Sequence, residues 1–473
     1  MKTIKYTLFI SLLLLGTACK DFLEEDARSL VPTESYYNNV TEASRALFGV
    51  YSSLTPVYSS LGLPLASDMA ADVFTEGAGG GGSTLTFMDR HTFDASLGIL
   101  ADQYQVHYQL INNANSLLAQ LEGRNLGNDA QQNSITGEAL FLRALAYFNL
   151  VQVFGDVPLR TSPATSTQGL SVPRSSAEEV YAQIIADLEA AAGLLPEEGL
   201  APGRAGRLAA YTLLAKVHLS RQDYLKASQA LQPVLGKRRL YGTYIDNFKV
   251  ANENNKVESI FEVQYGLRPV NSDLIQFMTP NEVTGHGFVY GVFRVEPGQI
   301  AAYADNDPRK STIFWNQVNN RNFDGYYVRK YNDALLPGVQ ATDAGQVNFP
   351  VLRYADVLLM QAEIINGLNG GPTTEAYQAL NAVRRRAYGQ PVDQPSAFDE
   401  VPGLGQAEFL EAVLSERRRE FVGEGQRWFD LKRNNLLYIV LADKGFVKGK
   451  HEVWPIPQAA IDAEKSLTQN NGY

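Results

Sequence analysis

The stretch YTLLAKVHLSRQDYLKASQAL, from Tyr211 to Leu231, constrains the fold more than any other. Apolar residues recur at three- and four-residue steps, stop at a short polar turn, and resume at the same spacing. That pattern specifies helix, turn, helix. The small Ala215 and Ala227 let two antiparallel helices approach closely, and larger residues fill the space between them.

Tyr211, Leu214, Ala215, His218, Tyr224, Ala227 and Leu231 sit at tetratricopeptide spacing. A second copy with a longer turn is expected over Tyr354–Ala387, and a third around Tyr104–Leu121 and Glu138–Phe154. The copies lie far apart, so a plain tandem solenoid is excluded. The run Gly137–Leu159 is apolar nearly all round and predicts a buried helix ending near Gly155 and Pro158. Thr41 is expected to cap a helix whose face is Ala43, Leu47, Val50, Tyr51 and Leu54. Ser176 should cap another, stopping at Gly193 and Pro196. Few stretches look extended, the best being Glu258–Tyr265.

The N-terminus reads differently. Lys2 and Lys5 precede an apolar run, Tyr6–Leu15, and then the small Gly16, Thr17 and Ala18. This order describes a secretory signal peptide. The run is too short to span a bilayer of about 30 Å. Cys19, the single cysteine, follows directly. The stretch resembles a bacterial lipobox, in which cleavage leaves Cys19 as an acylated N-terminus. Stable anchoring takes more than one chain, at about 0.8 kcal/mol per buried CH₂. Residues 1–18 are therefore expected to be a signal peptide and Cys19 a lipid (palmitate) anchor. With one cysteine, no internal disulfide can form.

Formal charge is −10, and loss of residues 1–18 removes two lysines and no acid, leaving −12. An acidic chain repels nucleic acid and anionic membrane, so neither contact is driven by charge. No later apolar run is long enough to span a membrane. The remaining length is ample for a large core.

Several motifs then recur in order. FLEEDARSLVPTESYYNNVTEASRALFGVYSSL follows the cysteine; EALFLRALAYFNLVQVFGDVPL, DNDPRKSTIF and NFPVLRYADVLLMQAEI come next; SERRREFVGEGQRWFDLKR and EVWPIPQAAIDAEKSLTQNNGY close the chain. Together they resemble the SusD/RagB family of Bacteroidetes outer-membrane lipoproteins, across residues 19–473. The resemblance implies a mainly all-α domain: four discontinuous tetratricopeptide-like helix pairs, long irregular loops and minor strands, with halves near 19–240 and 241–473. It implies a surface protein that binds glycans, or peptides in some branches. A SusC-like TonB-dependent β-barrel would be its partner and would import the ligand. Asp21, Glu24, Glu25 and Asp26 resemble the family's surface-export signal.

Sugars present apolar C–H faces and many hydroxyls, so aromatic rings and polar side chains are the expected contacts. Trp428 and Trp454 lie in framework motifs and read as core. Trp315 follows DNDPRKSTIF and is a better candidate, as is Tyr290 in GHGFVYGVFR with Phe288 and Phe293. Tyr326 and Tyr327 follow, and Asp68, Asp72, Phe74, Arg90 and Phe93 flank a loop in the first half.

Enzyme motifs fare poorly. GAGGGG (Gly77–Gly82) matches G-x-G-x-x-G, but STLTFMDRHTF after it reads extended, so the dinucleotide context is missing. DNDPR places Arg309 where an EF-hand needs an oxygen ligand. The five histidines are scattered, none at metal-ligand spacing, and no cofactor or metal is expected. Paired carboxylates of a glycoside hydrolase are not excluded by spacing alone. SERRRE, however, reads as ion pairs along one helix, where Glu416 meets Arg419, and also Glu420, at helical spacing. Two readings remain: a glycan-capture lipoprotein serving a transporter, and a tetratricopeptide-scaffold lipoprotein whose ligand is a peptide or protein.

Overall fold

In the computed structural model, residues 37–77, 83–164, 171–252, 257–266, 271–280, 283, 289–318, 320–332 and 345–473 are described. Cys19, the signal peptide and Phe288 lie outside them. The hairpin expected over Tyr211–Leu231 forms two helices, Arg207–Ser220 and Tyr224–Leu231. Asp223 caps the second by accepting from the Lys226 amide. Ala215 and Ala227 are fully buried. The second hairpin is Tyr354–Asn369 and Thr374–Ala387, its turn made by Gly370 at φ +65° and the cap Thr373. The third is Gly98–Leu121 and Asp129–Phe154. Its second helix begins before the apolar run, capped by Asn128, and ends at Gly155 with φ +71°.

These helices stack in sequence. Gly98–Leu121 packs on Asp129–Phe154, which packs on Ala177–Leu194, then Arg207–Ser220, then Tyr224–Leu231. The last crosses to Tyr354–Asn369, which also carries Thr374–Ala387 and Gln406–Glu420. The crossing is tight at Gly367, where a Cβ would lie 2.6 Å from the Tyr224 ring. The fold is mainly α-helical on this tetratricopeptide-like scaffold.

Two local expectations are corrected. The cap of helix Val40–Ser52 is Asn39, not Thr41: its side-chain oxygen accepts from the Thr41 and Glu42 amides. The apolar face, Ala43, Leu47 and Val50, is as expected. Ser83–Asp89 is a helix, not an extended segment. Its β-branched threonines alternate like a strand, but Leu85 and Met88, three apart, are the buried pair.

Eight strands are present among the described residues: β1 (Phe74–Glu76), β2 (Val157–Pro158), β3 (Arg174–Ser175), β4 (Ser259–Val263), β5 (Phe293–Val295), β6 (Phe314–Val318), β7 (Arg321–Val328) and β8 (Phe349–Arg353). β4 is the extended stretch expected from sequence and pairs antiparallel with β8. β1, β5, β7 and β6 form a four-stranded sheet in that order. A strand therefore precedes the GAGGGG stretch and a helix follows it. The dinucleotide reading still fails, because β1 pairs antiparallel with β5 rather than in a parallel βαβ unit.

The SERRRE stretch is also corrected in part. Glu416 does pair with Arg419 at 2.7 Å. Yet Glu416 and Glu420 are buried, and their main partners come from elsewhere: Arg309 of DNDPR reaches Glu416 at 2.7 Å and Glu420 at 3.1 Å. Arg353 and Arg386 converge on Glu420 and Glu258. DNDPR is thus a structural motif, with Arg309 and Asp307 both buried. Trp428 and Trp454 are core residues, as expected.

Candidate functional site

The four-stranded sheet separates two faces. In antiparallel register, partners point to the same side and neighbours along a strand to opposite sides. Phe74 pairs with Val295 and Phe314 with Val328; with Phe293 they face the main core. On the other face, Thr75 pairs with Arg294, Arg294 with Tyr327, and Tyr327 with Trp315. One row of four side chains thus crosses the whole sheet.

The aromatic end of the row is a small cluster of its own. Trp315, Phe323, Tyr327 and Val283 pack together. Phe323 meets Trp315 edge-on at 5.4 Å and Tyr327 at 6.0 Å. Trp315 is 7% exposed, and its Nε1–H has no hydrogen-bond partner among the described residues. The Tyr327 hydroxyl donates to Asp324 Oδ1 at 2.6 Å, and Arg294 Nη1 reaches Asp324 Oδ2 at 3.1 Å. Arg294 lies across Gly325, where a Cβ would come within 2.6 Å of its Cδ. Tyr290, 41% exposed, stands near the sheet with its ring 4.9 Å from Phe277.

The other end is charged. Thr75 Oγ1 donates to Asp89 Oδ2 at 2.9 Å. The Lys444 ammonium bonds Asp89 and also Glu296 Oε1 at 2.8 Å, and donates to the Ala71 and Phe74 carbonyls. Thr75, Asp89, Arg90, Glu296, Asp443 and Lys444 line a cleft of about 420 Å³. Thr75 and Arg294 with the cleft offer hydroxyl, carboxylates and cations at the surface, beside the buried rings of Trp315 and Tyr327. Side chains of these kinds can grip a polyhydroxylated ligand through stacking and hydrogen bonds.

Placement divides the sequence candidates. Trp315 and Tyr327 are in the row, Arg90 lines the cleft, and Tyr290 is the exposed ring. Tyr326 points away from Tyr327, to the core side, and is partly buried. Phe74, Phe293 and Phe93 are buried packing residues; Phe74 and Phe293 meet edge-on at 5.5 Å, and Phe93 stacks on Tyr473. Asp68 is buried too, its Oδ2 accepting from the Gly425 amide at 3.0 Å. Burial pushes its carboxyl up to about 7, despite that amide and the nearby Lys330. Asp72 holds Arg427 at 2.7 Å and Arg418 at 3.2 Å. Burial raises its carboxyl, and the two guanidiniums more than offset this, holding it below the usual range.

The sequence reading missed Thr75, Arg294, Asp89, Glu296 and Lys444. Asp89 adjoins a named candidate, so its neighbourhood was a usable signal. Lys444 is 355 residues from Asp89, and nothing local marks it. No group of three or more histidine, cysteine or acidic side chains placed to hold a metal occurs among the described residues.

Residues 304–473 match the SusD family profile, and residues 83–219 match a second, described as starch-binding associating with outer membrane. Both matches, with the relatives below, support the SusD/RagB family. SusD-like protein P25 of Formosa agariphila is 27% identical over 544 residues, covering 100% of both chains. A SusD homolog from Bacteroides thetaiotaomicron superposes with a TM-score of 0.83 at 24% identity, over 95% of this chain and 100% of its own. A laminarin-binding SusD-like protein gives 0.79 at 27% identity, over 92% of this chain and 100% of its own.

Proposed function

We propose that this SusD/RagB chain captures glycans on the outer face of its small sheet and hands them to a SusC-like TonB-dependent β-barrel for import, without catalysis. The row Thr75–Arg294–Tyr327–Trp315, opening into the charged cleft, carries the reading. Trp315 and Tyr327 form its floor, Tyr290 supplies an exposed ring for a sugar face, and Arg90 supplies donors to hydroxyls. The family and the laminarin-binding relative support a glycan as ligand. Each recognition charge in the row already has an internal partner, which suits a neutral, hydroxyl-rich ligand that must later be released.

Residues 1–18 are taken as a signal peptide and 19–473 as one domain, held by lipid on Cys19 at the outer membrane and facing outward. The test is titration of laminarin and other polysaccharides into the wild type, Tyr290→Ala and Arg90→Ala. Weakened binding in both variants with an unchanged fold supports the site, and unchanged affinity in both contradicts it. For the anchor, Cys19→Ala should move the protein to the soluble fraction; retention in the membrane contradicts it.

A further inference from the structure

His91 and His451 stand 360 positions apart in the sequence and share one buried box. Their ring centroids are 5.4 Å apart. His91 stacks on Trp428 at 5.9 Å, and Phe446 closes on both imidazoles. Phe93 touches both rings, and Tyr473 lies 6.1 Å from His451. The two histidines are 3% and 2% exposed.

Their backbone contacts fix opposite tautomers. His91 Nδ1 lies 3.1 Å from the Lys444 carbonyl oxygen, so it must carry the proton and leave Nε2 bare. His451 Nδ1 accepts from the Val447 amide at 2.8 Å, so it must be bare and Nε2 must carry the proton. Neither Nε2 has a hydrogen-bond partner among the described residues. The neutral pair therefore holds one unused acceptor and one unused donor. His451, with a backbone N–H aimed at its Nδ1 and a proton on Nε2, is a poor metal ligand.

An extra proton has no good place. On His451 it must go to Nδ1, where it displaces the Val447 N–H; that bond and His451 N–H to the Val447 carbonyl (3.0 Å) both close the 447–451 turn. On His91 it must go to Nε2, inside the aromatic box. The groups facing His91 are the Lys444 ammonium, which opposes a charge, and the Asp89 carboxylate and Ala70 carbonyl, which favour one. His451 faces Lys450 and His91, both opposing, and the Tyr473 ring. Burial is the largest influence on each and holds both near 4.

We propose that His91 and His451 form an acid-sensitive latch: while both are neutral they pin residues 442–451 against the loop after Asp89, and protonation releases that segment. The His91–Lys444 hydrogen bond ties the two pieces of chain directly. The same Lys444 carries the ammonium that bridges Asp89 and Glu296 at the cleft, so release of the segment loosens the charged end of the row. The latch concerns the protein alone and is read without ligand, so it stands or falls apart from the glycan proposal.

Hydrogen–deuterium exchange of the full chain, corrected for intrinsic rates, tests it. Protection over residues 442–451 should fall at least tenfold between pH 7 and pH 5, while helix Thr374–Ala387, which contains no histidine, holds, because opening lets both imidazoles return to their ordinary pKa. In the His91→Asn/His451→Asn double variant the amide groups sit at the position of Nδ1 and can replace both backbone bonds without titrating. That variant should keep its pH 7 protection and lose the pH response. Unchanged wild-type protection across that range, or an equal response in the variant, overturns the latch. Should the variant fold poorly, proton NMR of the wild type serves: both imidazole C2–H signals should remain neutral at pH 6, and titration near 6.5 overturns it.

Discussion

Arg353 Nη1 lies 2.6 Å from Glu420 Oε1, and Nη2 of the same guanidinium donates to the Glu420 carbonyl oxygen at 2.9 Å. One cation thus fixes both the side chain and the C-terminal end of helix Gln406–Glu420. Its Nε also reaches Glu424 at 2.8 Å and its Nη1 reaches Glu258 at 2.9 Å. Burial raises the Glu420 carboxyl, and Arg386, Arg353 and Arg309 outweigh it, holding the group below the usual range. Glu420→Gln leaves buried guanidiniums uncompensated and should cost about 3–5 kcal/mol. Denaturant unfolding will measure this. Because the folded pKa is depressed, the wild-type contribution is present above the ordinary glutamate pKa and lost as pH falls below it.

Asp68 should behave in the opposite way. Its folded pKa is raised to about 7, so the fold binds a proton the unfolded chain has released. Its contribution is complete below the ordinary aspartate pKa and is lost as pH rises toward 7. Asp68→Asn should therefore raise the melting temperature at pH 8 and have little effect at pH 4. A shift from 3.8 to about 7 corresponds to at most about 4 kcal/mol. Equal melting of variant and wild type at pH 8 would refute the raised pKa of Asp68.

Trp315 and Tyr290 should separate stability from binding. Trp315 is almost wholly buried between Phe323 and Tyr327, so Trp315→Ala should cost about 3 kcal/mol of stability. Tyr290 is exposed, and Tyr290→Ala should stay within about 1 kcal/mol of wild type while weakening glycan binding up to about tenfold. Thermal melts beside binding titrations will check both.

Gly367 gives a sign test of the helix stack. In an open helix, Gly→Ala stabilises by about 1 kcal/mol. Here the new Cβ would lie 2.6 Å from the Tyr224 ring, so Gly367→Ala should instead destabilise by about 1–3 kcal/mol. Adding Tyr224→Ala should remove that penalty. A stabilised single variant would contradict the close crossing.

Local patterns were legible and long-range ones were not. The hairpin over Tyr211–Leu231 could be read from spacing, and Ser176 from its capping box with Glu179, because both signals lie within a few residues. Ser83–Asp89 misled because threonine alternation imitates a strand, and only packing shows that Leu85 and Met88 share a helical face. From sequence, Glu420 reads as belonging to ion pairs along its own helix, because its partners Arg309, Arg353 and Arg386 lie 34–111 residues away. The row joins Thr75, Arg294, Trp315 and Tyr327 only through strand register, which no local signal encodes. Trp315 and Tyr327 stand out in the sequence as aromatics, whereas Thr75 and Lys444 have ordinary neighbours.

The most direct test of glycan capture is a binding screen of the soluble chain, Asp21–Tyr473, against plant, host and microbial polysaccharides with a peptide mixture alongside. The account predicts saturable binding to at least one glycan class, weakened by Tyr290→Ala. Binding of peptides alone, or glycan binding indifferent to Tyr290, would contradict it.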